Sequence, residues 1–243
     1  MAFAVTPSIV VTGDCAVTVV FGHDLDLELN DQVLALDRSL VDDPIPGVLE
    51  TVPGLATLLV RFHPSDMDRA LLAELIEGRL AGTAKSQGPE GQQRRWRIPA
   101  VYGGAHGPDL GSVADFLSLS EDEVIEAHAS LQLRVLMLGF APGFAYLGLA
   151  DPMWDIPRLP EVTPQVPAGA ILVAARQTAL SATPIPTGWR QLARTPFRSF
   201  DPEAPDPFRL RPGDLVGFEP VTPAEYRRLT EAGENGATVE AVE

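Results

Sequence analysis

Apolar and polar positions alternate at the start of this chain and then fall into a helical period, and the change occurs twice before Gly82. "SIVVTGDCAVTVVFG" holds two strand-like runs about a Gly-Asp turn. In "NDQVLALDRSL", Asn30 stands where a helix cap belongs, and Val33, Leu36 and Leu40 share one face. "GVLETVPGLATLLVRF" repeats the pair of strands about a Pro-Gly turn. A second helix follows: Ser65 with Asp68 resembles an acidic capping box, and Leu71, Leu72, Leu75, Ile76 and Leu80 form its apolar stripe. Two ββα units predict a small α/β sandwich over residues 1–82, with helices on one face of an antiparallel sheet. Cys15, inside the run "CAVTVVFG", is expected to be a small buried hydrophobe.

Periodicity stops in "GTAKSQGPEGQQ", a polar, Gly-rich stretch that places a linker at residues 83–93. "RRWRIPAVYGG" then reads as the strand opening a second domain over 94–221. Ser120 with Glu123 forms a capping box for a short helix reaching Ala129. Beyond it, short apolar runs ("RVLMLGF", "AILVAA", "DLVGFEP") lie between frequent Pro and Gly, the pattern of a compact β-barrel or sandwich. Residues 222–243 offer one helix, capped by Thr222 with Pro223 at its first position, and then an acidic end expected to fray. The fold class is α+β.

Within the second domain, "LGFAPGFAYLG" breaks the pattern. Pro142 lacks a ladder donor and Gly143 invites a turn, yet Phe140, Phe144 and Tyr146 crowd the same segment, as they would in a core bend or the wall of a cleft. His128 lies four residues after Val124, on the inward face of its helix, where a satisfied core histidine and a general base are both open readings. Gln177 and Thr178 follow the strand "AILVAA" and suit an amide or carboxylate, or a strand cap. In "GWRQLARTPF", Trp189 supplies a flat apolar surface and Arg194 a fork for carboxylate or phosphate.

Charge narrows the partners. The net value of −15 argues against nucleic acid and anionic membrane, and no run of about 18 apolar residues spans a bilayer. Between Arg176 and Arg211, however, arginines exceed acids, a local cationic patch suited to an anionic small molecule or an acidic surface. One cysteine rules out an internal disulfide, and His23, His63, His106 and His128 lack ligand spacing, so no metal site is expected. "MAFAVTPSIVV" has no basic region or cleavage site, which points to the cytoplasm. Phosphate-loop, dinucleotide and GxSxG patterns are missing from the sequence.

Six stretches, "GDCAVTVVFG", "YGGAHGPDL", "EVIEAHASLQLRVLMLGFAPGFAYLG", "VPAGAILVAARQT", "GWRQLARTPFRSFD" and "LRPGDLVGFEPV", together resemble the B subunit of bacterial ATP-dependent 5-oxoprolinase. That family is also labelled allophanate hydrolase subunit 1 and includes the sporulation kinase inhibitor KipI. The resemblance implies a cyclophilin-like β-barrel for the second domain. It implies a hydrolase component that opens the 5-oxoproline lactam to glutamate with ATP (and Mg2+), or acts on allophanate or a related amide. Its partners would be a homologous C subunit, of the allophanate hydrolase subunit 2 or KipA type, and a TIM-barrel-like A subunit. Arg194 and the Gln177-Thr178 pair would then meet the phosphoryl group and the developing oxyanion, with His128 as proton carrier. Phe140, Phe144, Tyr146 and Trp189 would line the substrate groove or the seam with the C subunit. The chain departs from the usual AGxQTGIYP: Ala175 and Ala179 replace glycines, Ser181 a tyrosine and Ala182 a proline. KipI supplies the other reading, a binding protein that inhibits a sensor histidine kinase. Prolyl isomerase activity would rest on fold alone.

Overall fold

The first alternating runs fold as β1 (Ser8–Val11) and β2 (Ala16–Val20), followed by α1 (Leu27–Asp42). The unit repeats as β3 (Val48–Pro53), β4 (Thr57–Phe62) and α2 (Arg69–Thr83). The four strands form one antiparallel sheet in the order β1-β2-β4-β3. Val17, Val19, Leu58, Val60 and Phe62 point to one face, where Val33, Leu36, Leu72 and Ile76 of the helices bury them. This computed structural model describes residues 6–83 and 93–242, which divide into two compact units between those segments. Most of the predicted linker therefore lies outside the described residues.

Several local expectations change. Asn30 is not a cap: α1 begins three residues earlier, and Asp26 caps it by accepting from the Glu28 amide. Asn30 is instead buried inside the helix, and its Nδ2 donates to the carbonyls of Gly54 and Leu55, pinning the β3–β4 turn. Asp68, not Ser65, caps α2 by accepting from the amides of Ala70 and Leu71, because Ser65 is engaged with His63 and Asp66. Leu72 and Ile76 face the sheet, whereas Leu71 and Leu75 are exposed, since an apolar run wider than one helix face must leave one edge in water. Cys15 sits exposed at the turn before β2.

The second unit runs β5 (Gln93–Tyr102), α3 (Leu110–Leu117), α4 (Glu121–Ala129), β6 (Leu133–Leu138), β7 (Ala145–Gly148), β8 (Thr163–Val166), β9 (Ala170–Ala174) and β10 (Gln177–Leu180). It continues with β11 (Ile185–Thr187), β12 (Arg190–Arg194), β13 (Leu215–Pro220), α5 (Pro223–Ala232) and β14 (Thr238–Val242). Seven strands in the order β12-β9-β10-β7-β6-β13-β5 close on themselves through β5–β12, giving the barrel expected from the resemblance. Strand β8 pairs with β11 in a small sheet of its own.

Alternation assigns the two faces of the barrel wall. On β9, Ile171 and Val173 belong to the interior core, and Ala170, Leu172 and Ala174 to an outer apolar layer. The Ser120–Glu123 capping box starts α4 as the spacing predicts. Asp214 fixes the entry to β13: its buried carboxylate accepts from Arg94 Nε and Nη2, from Trp96 Nε1 and from the Arg211 amide. The tail does not fray as expected. After α5, which Thr222 caps, residues 238–242 pair antiparallel with β5. Unpaired backbone along the start of β5 gives the alternating "TVEAV" a ladder to join.

Candidate functional site

The irregular "LGFAPGFAYLG" is the connection between β6 and β7. Leu138 ends one strand, Ala145 begins the next, and the turn between them is closed by the Gly139 amide donating to Phe144 O. Gly143 has φ +69, and a Cβ there would stand 2.3 Å from Phe200 Cβ, so a side chain is excluded by both strain and space. Ser199 Oγ donates to Gly143 O at 2.8 Å and locks the turn against that neighbour. Pro142 is exposed, at a turn position where its missing N–H breaks no ladder.

The turn and β7 launch a ladder of rings across the outer barrel wall. Phe140 and Phe144 lie 5.6 Å apart between centroids, Phe144 and Tyr146 4.9 Å, and Tyr146 and Trp189 5.9 Å. Phe140, 69% exposed, is the outer rung, whereas Phe144 and Trp189 are buried in the outer layer. The Arg158 guanidinium sits 5.8 Å over the Trp189 ring. Burial pushes the Tyr146 hydroxyl above its ordinary pKa, with Arg158 partly opposing, so it stays a donor at neutral pH.

Gln177 and Thr178 do not stand at a strand end; they begin β10, and alternation sends them to opposite sides of the wall. Gln177 shares the outer face with Ala179, whose direct neighbour across the ladder is Tyr146. The Gln177 side chain is 8% exposed, and its Nε2 is buried with no hydrogen-bond acceptor among the described residues. Ala175 and Arg176, at φ 48 and 63, form the two-residue turn leading into it; both occupy the left-handed region, where the family resemblance anticipates glycine at 175. Gln177 thus shares one face of the wall, the shelf, with the ring ladder of Phe140, Phe144, Tyr146 and Trp189.

Thr178 turns inward to His128. The histidine is fully buried, with Nε2 3.1 Å from Thr178 Oγ1 and Nδ1 2.8 Å from Tyr102 Oη. Its ring stacks on Phe218 and meets Trp154 and Tyr102 edge-on. Desolvation pushes its pKa down to about 4, so it is neutral at pH 7, and burial likewise raises the Tyr102 hydroxyl. His128 and Thr178 are thereby separated from the shelf by the thickness of one strand.

Arg194 joins neither group. It pairs with Ala170 at one end of β9, whereas Gln177 pairs with Ala174 at the other, roughly 13 Å along the strand. Its Nε donates to Ala168 O. Sequence reasoning missed Tyr102 and Arg158. The first stands in the quoted "YGGAHGPDL"; the second comes from an irregular Pro-rich segment that offers no periodic signal. Among the described residues, no three His, Cys, Asp or Glu side chains gather as a metal site, and no helix is long and apolar enough to cross a membrane.

The chain matches the family described as carboxyltransferase domain, subdomain C and D, over residues 7–210. It is 33% identical over 229 residues to the 5-oxoprolinase B subunit of Bacillus subtilis (strain 168), covering 90% of this chain and 95% of that protein. The protein of the same name from Escherichia coli O157:H7 is 36% identical over 208 residues, covering 86% and 93%. Among solved structures, TTHA0988 matches with a TM-score of 0.74 at 35% identity; the alignment covers 85% of this chain and 40% of that longer one. K. lactis urea amidolyase gives a TM-score of 0.78 at 18% identity over 97% of this chain and 16% of that one, a likeness of fold.

Proposed function

The chain belongs to the carboxyltransferase domain, subdomain C and D, family, and from that premise we propose that it is a non-autonomous component of an ATP-dependent 5-oxoprolinase. It would open the lactam of 5-oxo-L-proline to L-glutamate together with a C subunit of the allophanate hydrolase subunit 2 type and a TIM-barrel-like A subunit. The observation that carries this reading is coverage in both directions: relatives named as the B subunit of 5-oxoprolinase align with 90% and 86% of this chain and with 95% and 93% of their own length.

The shelf is the proposed substrate site. A five-membered lactam is a small flat ring with an apolar back and one polar edge, and the exposed Phe140 and half-buried Tyr146 offer flat faces backed by Phe144 and Trp189. Gln177 Nε2, buried without an acceptor, costs about 1–3 kcal/mol as it stands, and a lactam carbonyl that displaced the atoms covering it would relieve that cost. Tyr146, on the same face of the wall, provides a second donor. As water attacks, negative charge gathers on the carbonyl oxygen, and donors already fixed in place favour that state over the ground state. In this reading His128 is a positioning residue: it holds Thr178, and with it the start of β10, while Gln177 on the opposite side faces the substrate.

ATP supplies the free energy for opening an amide that is a poor electrophile. A triphosphate asks for several fixed cations at once, and the aromatic ladder carries one among the described residues, Arg158. The shelf therefore fits the lactam and not the nucleotide, whose triphosphate belongs elsewhere in the assembly.

The test is co-expression with the C and A subunits, followed by measurement of ATP-dependent glutamate release from 5-oxoproline. Gln177→Ala is expected to lower kcat/KM about 10- to 100-fold with the complex intact, equivalent to about 1.4–2.8 kcal/mol. Full activity in that variant would remove the shelf from the reaction. No turnover by an intact wild-type complex would overturn the oxoprolinase assignment, and inhibition of a sensor kinase, as in KipI, would be assayed next.

A further inference from the structure

The barrel carries a second group of polar side chains, around Tyr226 of α5. Tyr226 is 8% exposed, and the His106 imidazole packs on its ring with centroids 4.7 Å apart. The Arg194 guanidinium lies 5.9 Å over the same ring, held by its Nε bond to Ala168 O. That bond leaves both Nη groups of Arg194 available as donors. Arg227, the next residue on α5, is exposed.

In this chain of 33 acids against 18 lysines and arginines, some arginines meet a carboxylate among the described residues and others, Arg158, Arg176, Arg190, Arg198 and Arg209 among them, do not. Arg61, Arg79, Arg94, Arg95, Arg97 and Arg211 each meet one. Arg228, one position further along α5, is bonded to both Glu225 and Glu234. Among the described residues, neither Arg194 nor Arg227 has an ion-pair partner. His106 feels both: partial burial comes first, and the charges of Arg194 and Arg227 add to it in holding its pKa below the ordinary value. Asp109 is near, but its Oδ2 accepts from the Gln191 amide and it pairs with neither arginine; cations with no carboxylate in contact repel one another, and an anion placed among them removes that repulsion.

We propose that Arg194, Arg227 and His106 form a binding site for a phosphoryl-type anion on the outer barrel surface, separate from the aromatic shelf. Arg194 supplies the fixed fork, suited to two oxygens of a planar or tetrahedral anion. Arg227 adds charge from the exposed side of α5, and His106 stands against the Tyr226 ring. A phosphoryl group fits better than a carboxylate, because it presents three oxygens and nearly two charges to a group of up to three cations. The site stands whether or not the shelf binds a cyclic amide.

The test uses the isolated full chain and inorganic phosphate, titrated at constant ionic strength against chloride, with the histidine ring resonances followed by NMR and His106 assigned from a His106→Gln variant. A saturable shift confined to His106, with a rise in its pKa as the anion enters, is the expected result. Arg194→Gln and Arg227→Gln should each weaken binding about tenfold or more, and Gln177→Ala should leave it unchanged. Arg227→Gln, at an exposed position, keeps the test valid if Arg194→Gln fails to fold. Parallel titrations with ATP and with free phosphate distinguish the two sources: tighter binding of ATP assigns the site to a nucleotide tail, equal binding to the free anion. Absence of a saturable shift at millimolar phosphate, an equal shift with chloride, or indifference to both arginine substitutions would overturn the proposal.

Discussion

Acidification should unfold the barrel through one buried imidazole. His128 has a folded-state pKa near 4 against an ordinary value of 6.5, because burial takes the charged form of the ring out of water. Between those two values the unfolded chain takes up a proton that the folded one refuses. The contribution of His128 to stability is therefore fully present above pH 6.5 and is lost as pH falls toward 4. Integrating that difference gives a loss of about 2 kcal/mol between pH 7 and pH 5, and about 3 kcal/mol by pH 4. Urea titrations followed by tryptophan fluorescence can read it, since Trp96, Trp154 and Trp189 all lie in the second unit. With a slope of about 2 kcal/mol per molar, the midpoint should fall by about 1 M from pH 7 to pH 5. His128→Gln keeps groups able to bond Tyr102 and Thr178 but does not titrate. Carboxylates and the other histidines titrate in both proteins and cancel in the comparison. The variant should lose the 2 kcal/mol of excess acid sensitivity while being less stable at pH 7. Parallel pH dependences for wild type and variant would refute the reasoning.

Two further substitutions probe the frame around the sites. Gly143→Ala places a Cβ 2.3 Å from Phe200 Cβ at φ +69, and the left-handed strain with overpacking should cost about 2–4 kcal/mol in chemical denaturation; a loss below about 1 kcal/mol would mean that the turn relaxes freely. Asp214→Ala removes the acceptor shared by Arg94, Trp96 and the Arg211 amide and should cost about 3–5 kcal/mol by the same measurement. Wild-type stability in that variant would show that water replaces the carboxylate.

Secondary structure was legible wherever side-chain periodicity and local chemistry agreed. The α4 capping box, the α5 cap at Thr222 and the buried Val33, Leu36 and Leu40 all follow from spacing within a few turns of helix. Asn30 shows where this fails. Its identity fits a cap, but the bonds that use it come from Gly54 and Leu55, on a strand pair the local sequence cannot anticipate. The site divides in the same way. Phe140, Phe144, Tyr146 and Trp189 gather into one ladder, as residues suited to a common wall. Gln177 and Thr178 read as a pair while they stood at a strand end; once they lie within β10, pleating sends them to opposite faces. Arg194 shares a motif with Trp189 but not a neighbourhood, because β12 carries it five residues onward along the wall.

The first strand of the barrel is also the one that waits longest during synthesis. Residues 95–100 of β5 pair in parallel with β13 at 215–220, and residues 93–97 with β14 at 238–242. The antiparallel sheet of the first unit, by contrast, finds every one of its pairings between Ser8 and Phe62. On the ribosome that sheet can be complete while β5 is still without a neighbour, exposing unpaired amides and carbonyls until β12 and β13 emerge, roughly a hundred residues of elongation later. Chains cut short before β12 would keep both edges open permanently, so truncation products of this protein should self-associate through β5 while their first unit remains folded.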